Sequence, residues 1–283
     1  MPEARSPSLV WAIVLNWNRA ADTRRCVESL EASDCAALRI VVVDNGSKPE
    51  QFEELRVSLA EVELIRAPKN LGFGAGNNLG IQFALQHGAA YILLCNNDSI
   101  VDTRLVARLA RALDVDPSIG IAGPIVYYLN EPGRVWMAGY RFHGHLYVVP
   151  SGLHLQPPLQ PVEPVDFVSG CGMFLRREML HQVGMLSPDF FMYCEDLDLC
   201  LRARASGWKI ACVPDAKMWH RVSASLGGAF SIHKQYHQIR SGWIVYRRHT
   251  RGLAFVMNMG FRLIHSASMI VRSLWQPLGA RTR

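Results

Sequence analysis

"YILLCNNDSIVD", residues 91–102, runs five largely apolar residues into Asn96, Asn97 and Asp98 and then turns apolar again. An apolar run of strand length that stops on three polar groups reads in two ways. It is a buried strand ending in a surface turn, because Asn and Asp bond their own backbone in turns, or a strand ending at a site. The choice depends on whether the pattern recurs along the chain. It does: "VWAIVL" (10–15) stops on Asn16, Trp17 and Asn18, and "RIVVVD" (39–44) stops on Asp44, Asn45, Gly46 and Ser47. "VELIRA" (62–67) is followed by a polar stretch from Asn70 to Asn78. Segments with helical apolar spacing, 21–33, 48–60 and 74–88, separate these runs, and 103–115 follows the quoted one. Strand and helix alternating four times predict an α/β protein with an open, doubly wound parallel sheet and helices on both faces. In such sheets ligands gather beyond the carboxyl ends of the strands, so the four polar clusters fall on one edge. Singly, each has a plain alternative: Asn45-Gly46 is a common hairpin turn, and asparagines cap helices.

Composition bounds the rest. With 283 residues, 49% of them hydrophobic, the chain can bury a sizeable core. The residues before Val10 lack a basic, long-apolar signal layout, and the run Val10 to Leu15 is too short to cross a bilayer, so the expected location is the cytoplasm. Seven cysteines without a CxxC pair fit reduced, buried thiols. The net charge of +6 is unevenly placed. After Asp215 the chain holds eleven basic residues and no acidic one, against nineteen basic and twenty-four acidic before it. That asymmetry points to an anionic partner. Arg251, Asn258, Arg262, His265 and Arg272 recur at helical spacing on one narrow stripe among apolar residues. Such a helix fits an anionic membrane surface, as a peripheral contact on its inner face, or a helix packed on its own domain with one solvated edge. Nucleic acid is not expected, since base-stacking aromatics are not interleaved with the cations of this stripe as a single-strand groove would want.

The glycine-rich "NLGFGAGNN" (70–78) does not make a dinucleotide site: it follows the third strand, and Asn77 stands where the last glycine of GxGxxG belongs. Gly72, Gly74 and Gly76 are expected to permit close backbone approach to a nucleotide at a helix N-terminus.

Six ordered stretches, "IVLNWNR" (13–19), "IVVVDNGS" (40–47), "KNLGFGAGNNLGI" (69–81), "LLCNNDSIVD" (93–102), "FMYCEDLDLCLRARASGW" (191–208) and "PDAKMWH" (214–220), resemble the motifs of family 2 glycosyltransferases, most of all the rhamnosyltransferase-like branch. The resemblance covers roughly 8–225. It implies the GT-A fold, a doubly wound mixed sheet flanked by helices, with a catalytic domain over 1–229 and a basic amphipathic helical extension over 230–283. It implies an inverting transfer of a sugar, with L-rhamnose from dTDP-rhamnose favoured, from a nucleotide-sugar donor to a hydroxyl of a glycan or lipid-linked acceptor. Asn96, Asn97 and Asp98 match the DxD-type motif that holds a divalent cation on the donor diphosphate, with an amide replacing the first aspartate. His220 matches a late metal-ligating histidine. A carboxylate with diphosphate and water oxygens suits Mg²⁺ or Mn²⁺, and an imidazole favours Mn²⁺. Asp196 matches the general base. Adjacent Glu195 is expected to raise its proton affinity by like-charge repulsion, and Asp198 is expected to be structural. Asn16, Trp17, Asn18, Asp44, Asn70, Asn77, Asn78 and Asn97 match the nucleotide pocket.

"WHRVSASLGG" (219–228) reads as a loop that closes over the diphosphate, bringing Arg221 to phosphate. His143, His145 and His154 lie in an irregular, partly proline-rich stretch and read as surface or acceptor-facing. Two other classes fit the same sheet: a catalytically silent sugar-nucleotide or glycan-binding module, and a nucleotidyltransferase. Asp98, Asp196 and His220 occurring together argue against the first. The absence of a glycine-rich basic signature after the first strand argues against the second.

Overall fold

The computed structural model describes residues 8–145, 147, 161–221 and 232–275. In chain order the elements are β1 (Val10–Asn16), α1 (Ala20–Glu31), β2 (Leu38–Asp44), α2 (Pro49–Ser58), β3 (Glu63–Arg66), α3 (Phe73–Gln86), β4 (Tyr91–Asn96), β5 (Ser99–Val101) and α4 (Leu105–Val115). They continue with β6 (Ile119–Tyr128), β7 (Glu131–Met137), β8 (Glu163–Val165), β9 (Gly172–Arg176), α5 (Arg177–Val183), α6 (Glu195–Ala205), β10 (Lys209–His220), α7 (Ile232–His249) and α8 (Gly252–Trp275).

The four strands expected from the sequence lie side by side and parallel in the order β3-β2-β1-β4. Beyond β4 the sheet becomes mixed: β9 pairs antiparallel with both β4 and β6, and β6 runs parallel to β10. The hydrophobic runs of β1 and β4 are buried along nearly their whole length, as strands covered by helices on both faces should be. Strand β6 escaped the sequence reading because Gly120, Gly123 and Pro124 interrupt its pattern. Proline has no N–H to give a central ladder, and the sheet accommodates it locally. The β9 pairing covers only Ile121 and Ala122, and the β10 register shifts between Val213 and Lys217, opposite Pro124 and Ile125.

Strand β10 is the topological device that makes the site. It runs through the core beside β6, and its last residues, Met218 to His220, pair antiparallel with the short β5 that follows the Asn97-Asp98 turn. A residue far along the chain is thereby set beside the end of β4. Helices α7 and α8 pack on each other and on the sheet domain, with Val245 and Tyr246 fully buried in the main core cluster.

Candidate active site

Parallel registration brings Asn16 opposite Asp44 and Leu15 opposite Asn96 at the carboxyl edge. Asn16 is fully buried and all of its amide is in use. Its Nδ2 donates to Asp44 Oδ1 at 2.9 Å and Ser47 Oγ at 3.1 Å, while its Oδ1 accepts from Thr23 Oγ1 at 2.9 Å. Asn97 Nδ2 also donates to Thr23 Oγ1, at 3.0 Å. Asp44 is itself fully buried, accepts the Ser47 N–H at 3.3 Å, and has Arg66 Nε at 3.6 Å. A satisfied buried network of this kind rigidifies what lies above it. Here that is the turn carrying Trp17, which is 42% exposed, and Asn18, which holds a left-handed φ of 54° and accepts the Lys48 N–H at 2.8 Å.

The glycine-rich segment is closely packed by the protein's own chain. Gly72, at φ 84°, is where α3 meets the loop before α6: a Cβ there would overlap the Phe191 carbonyl, and Phe73 N–H donates to that same carbonyl at 2.8 Å. Gly74 faces Leu186, Ser187 and Glu195, and Gly76 faces Leu15 and Asn45. The small residues admit the protein's own chain. Asn77 and Asn78 likewise turn inward: Asn77 Nδ2 donates to Phe73 O at 2.9 Å, and Asn78 bonds both backbone groups of Leu186, at 2.8 and 3.2 Å. Asn70 Oδ1 accepts from Asn45 Nδ2 at 3.1 Å and the Gly72 N–H at 2.9 Å. Asn45 also donates to Gly72 O and accepts from Leu71 N–H, so it ties this loop to the end of β2.

At the other end of the edge, His220 Nε2 lies 3.0 Å from Asp98 Oδ1 and 3.2 Å from Asn96 Nδ2. Both Asp98 and His220 are buried. The two neighbours make opposite demands on one nitrogen: the amide N–H needs its lone pair, and the carboxylate needs a proton. His220 Nδ1 is buried with no partner among the described residues. A divalent cation shared by an imidazole nitrogen and a carboxylate oxygen resolves that conflict, so the donor set fits such an ion. No third ionisable ligand joins them: among the described residues no group of three His, Cys, Asp or Glu side chains could hold a metal. Beside this pair, Asp22 is gripped by the guanidinium groups of Arg19 and Arg25 and lies 3.4 Å from that of Arg221, whose backbone N–H donates to Asp98 O at 3.0 Å. This basic cluster on one carboxylate was not anticipated, because Arg19 and Arg25 are separated from Arg221 by most of the chain. The remainder of the 219–228 loop, from residue 222, and His154 lie outside the described residues. His143 and His145 are exposed.

The acidic start of α6 divides into three roles. Asp198 is fully buried; although burial acts against ionisation, His249 at 2.9 Å and Arg202 at 2.8 Å hold its carboxyl below the usual range. Asp196 is only partly buried and accepts the backbone N–H of Gly170 at 3.0 Å and of Leu197 at 2.8 Å. Burial pushes its carboxyl upward against the pull of those N–H groups. Glu195 is pushed well above the usual carboxylate range, first by burial and then by the Asp196 charge, and its Oε2 has no partner among the described residues. Glu195, the deeper member of the pair, and Asp196 are both pushed upward, so the raised proton affinity the sequence reading expected at Asp196 is shared by its neighbour. A stability consequence follows. Because the folded protein holds the Glu195 proton more tightly than the unfolded chain, stability is lost as pH rises through and above the ordinary Glu range. Glu195→Gln, which carries no charge at any pH, should raise Tm relative to the parent, with the gap widening from acid toward neutral pH; thermal melts across that range check it.

The two ends are joined by a short covalent and hydrogen-bonded path. Asp196 holds Gly170 N–H, the next residue's carbonyl, Cys171 O, accepts Asn96 N–H at 3.1 Å, and Asn96 reaches His220, which meets Asp98. Residues 98 and 220 thus meet directly, and Asp196, at the start of α6, is linked to them through the backbone that leads into β9. The model for glycosyltransferase-like family 2 matches residues 7–252. The chain belongs to that family. It is a glycosyltransferase, and its sheet is of the GT-A type. It is 24% identical over 272 residues to dTDP-rhamnosyl transferase RfbF of Shigella flexneri, spanning 93% of this chain and 88% of the relative. It is also 24% identical over 263 residues to the N-acetylglucosaminyl-diphospho-decaprenol L-rhamnosyltransferase of Mycobacterium tuberculosis, spanning 84% of each. Among solved structures, GalNAc-T7 with UDP, GalNAc and Mn²⁺ superposes with a TM-score of 0.65 at 15% identity over 93% of this chain and 58% of that one. The mannosyltransferase PcManGT of Pyrobaculum calidifontis, with GDP-Man and Mn²⁺, superposes at 0.60 and 17% identity over 98% of this chain and 78% of that one.

Proposed function

We propose that this glycosyltransferase is an inverting enzyme that moves L-rhamnose from dTDP-rhamnose to a hydroxyl of a glycan carried on a lipid diphosphate. The donor and acceptor follow the named activities of the two relatives. The mechanism rests on one observation, the path that joins Asp196 to the Asp98–His220 pair through Gly170, Cys171 and Asn96.

Asp196 is the general base. Its carboxylate is oriented by two backbone N–H groups and takes the proton of the acceptor hydroxyl as that oxygen attacks the anomeric carbon. The new C–O bond forms as the bond to the diphosphate breaks, and the electron pair leaves on the diphosphate oxygen, so configuration inverts. Asp98 and His220, with Asn96 beside them, are the residues that would hold a divalent cation, Mn²⁺ or Mg²⁺. When bound, that ion offsets charge on the departing nucleoside diphosphate. Arg221 adds positive charge next to the same place. The buried Asn16–Asp44–Asn97 network fixes the turn that presents Trp17 and Asn18 to the nucleoside, while Asn45 and Asn70 hold the floor of the third loop. Burial of Glu195 beside Asp196 disfavours a second negative charge next to the base.

A screen of dTDP-, UDP- and GDP-sugars against a polyprenyl-diphospho-GlcNAc acceptor, with Mn²⁺ and with chelator, tests the reading. Nucleoside diphosphate release and product glycan are expected with dTDP-rhamnose and Mn²⁺. Donor binding without turnover of any nucleotide sugar would identify a silent module instead, and pyrophosphate release would identify a nucleotidyltransferase.

A further inference from the structure

Helix α8 is inside out. Its polar positions face the domain: Asn258 is fully buried, accepts the Tyr147 N–H at 2.7 Å and donates to His145 O at 2.8 Å. Arg262 donates to Tyr246 OH at 3.0 Å and lies against Cys194 Sγ, and Ser266 is buried one turn on. Leu253, Val256, Phe261, Leu263, Ile264 and Val271 are left 49–74% exposed. From Leu253 to Val271 the only Lys, Arg, Asp or Glu is Arg262, which is turned inward, so the outward stripe carries no formal charge. A solvated helix has the reverse arrangement, and a contiguous exposed apolar stripe of this length marks an interaction surface.

We infer that this stripe docks on an anionic bilayer, with α8 lying in the interface and not crossing it. Residues 252–271 are apolar enough to span, but a helix whose Asn258 and Arg262 are bonded along its flank to the domain cannot leave that domain to do so. The occupant is identified by charge complementarity. The chain has no acidic residue after Asp215, and the exposed side of the adjoining α7 shows Tyr236, Arg240, Trp243 and Arg247 at helical spacing, with Arg247 5.0 Å over the Trp243 ring. Amphipathic aromatic rings and arginines are what a headgroup region accepts. Docking here also places the bilayer near the candidate base, because Arg262 meets the residue two before Asp196.

The test is flotation of the full-length chain with vesicles of phosphatidylcholine alone or mixed with phosphatidylglycerol, and it does not depend on which sugar is transferred. The parent should float with the anionic vesicles, less so at high salt. Leu253→Glu combined with Ile264→Glu should reduce partitioning by roughly tenfold or more, at unchanged Tm and with unchanged turnover of a water-soluble acceptor. Val256→Asn, a milder change on the same stripe, should fall between. The inference is overturned if the parent stays in the aqueous fraction with both vesicles or if the double variant floats as well as the parent. It is equally overturned if light scattering shows a lipid-free dimer that these substitutions dissolve, since the stripe would then be covered by a second copy.

Discussion

Asp196→Asn is expected to slow transfer by roughly 10²–10⁴-fold, the range contributed by a positioned general base, while the donor still binds. The amide keeps the size of the side chain and one acceptor oxygen. One of the two backbone N–H bonds from Gly170 and Leu197 is lost, which costs about 1 kcal/mol and leaves the fold intact. Single-turnover transfer at saturating donor, together with calorimetric titration of the donor, separates the two effects. Transfer at the parent rate would remove Asp196 from the mechanism. The same assignment sets the acid limb of the pH profile. Burial raises the Asp196 carboxyl, and only the ionised form can take a proton, so kcat/KM should fall as pH drops through a value above the usual aspartate range.

The second large effect is expected at Asp98. Among the described residues, Asp98→Ala leaves His220 Nε2 with the Asn96 amide and removes the carboxylate of the candidate cation site. Loss of one preorganised charge-stabilising contact typically costs on the order of 10²–10³-fold in rate. Here it should appear together with weakened Mn²⁺ binding, measured by electron paramagnetic resonance on the protein without donor. Unchanged Mn²⁺ affinity would place the ion elsewhere. Asp98→Asn, which keeps an oxygen donor but not the charge, should fall between the two.

What the sequence made legible follows the range of each signal. Strands β1 to β4 and the helices between them are set by local apolar periodicity and were read almost to their ends. The place where polar residues collect follows from parallel strand order alone. Strand β6 was missed because two glycines and a proline break its pattern, and only its neighbours in space explain how they are tolerated. The residues after each strand were found, but the bonds they make within the chain were not. Asn16 and Asp44 were expected against ligand, yet each is fully buried in a closed network. Asn77 and Asn78 were assigned to the nucleotide, and within the chain they bond to Phe73 and Leu186. A side chain's partner depends on which loop arrives opposite it, and the loop before α6 comes from more than a hundred residues away. The tail was read as a basic stripe on an apolar helix, which is correct as composition. Which face turns outward is fixed by Asn258 and Arg262 finding partners across the core.

The bond between Asp198 and His249, reinforced by Ser241 donating to Met192 O and Arg240 to Asp189 O, bears on how this protein should be handled at the bench. Trimming a sticky C-terminus is a common remedy for poor behaviour in solution. A chain cut ahead of α7 would strip His249 from a fully buried aspartate two positions from the base, leaving it the Arg202 bond, and so would come out better behaved and impaired. Solubility should be sought by recolouring the outward side of the last helix and leaving its length alone.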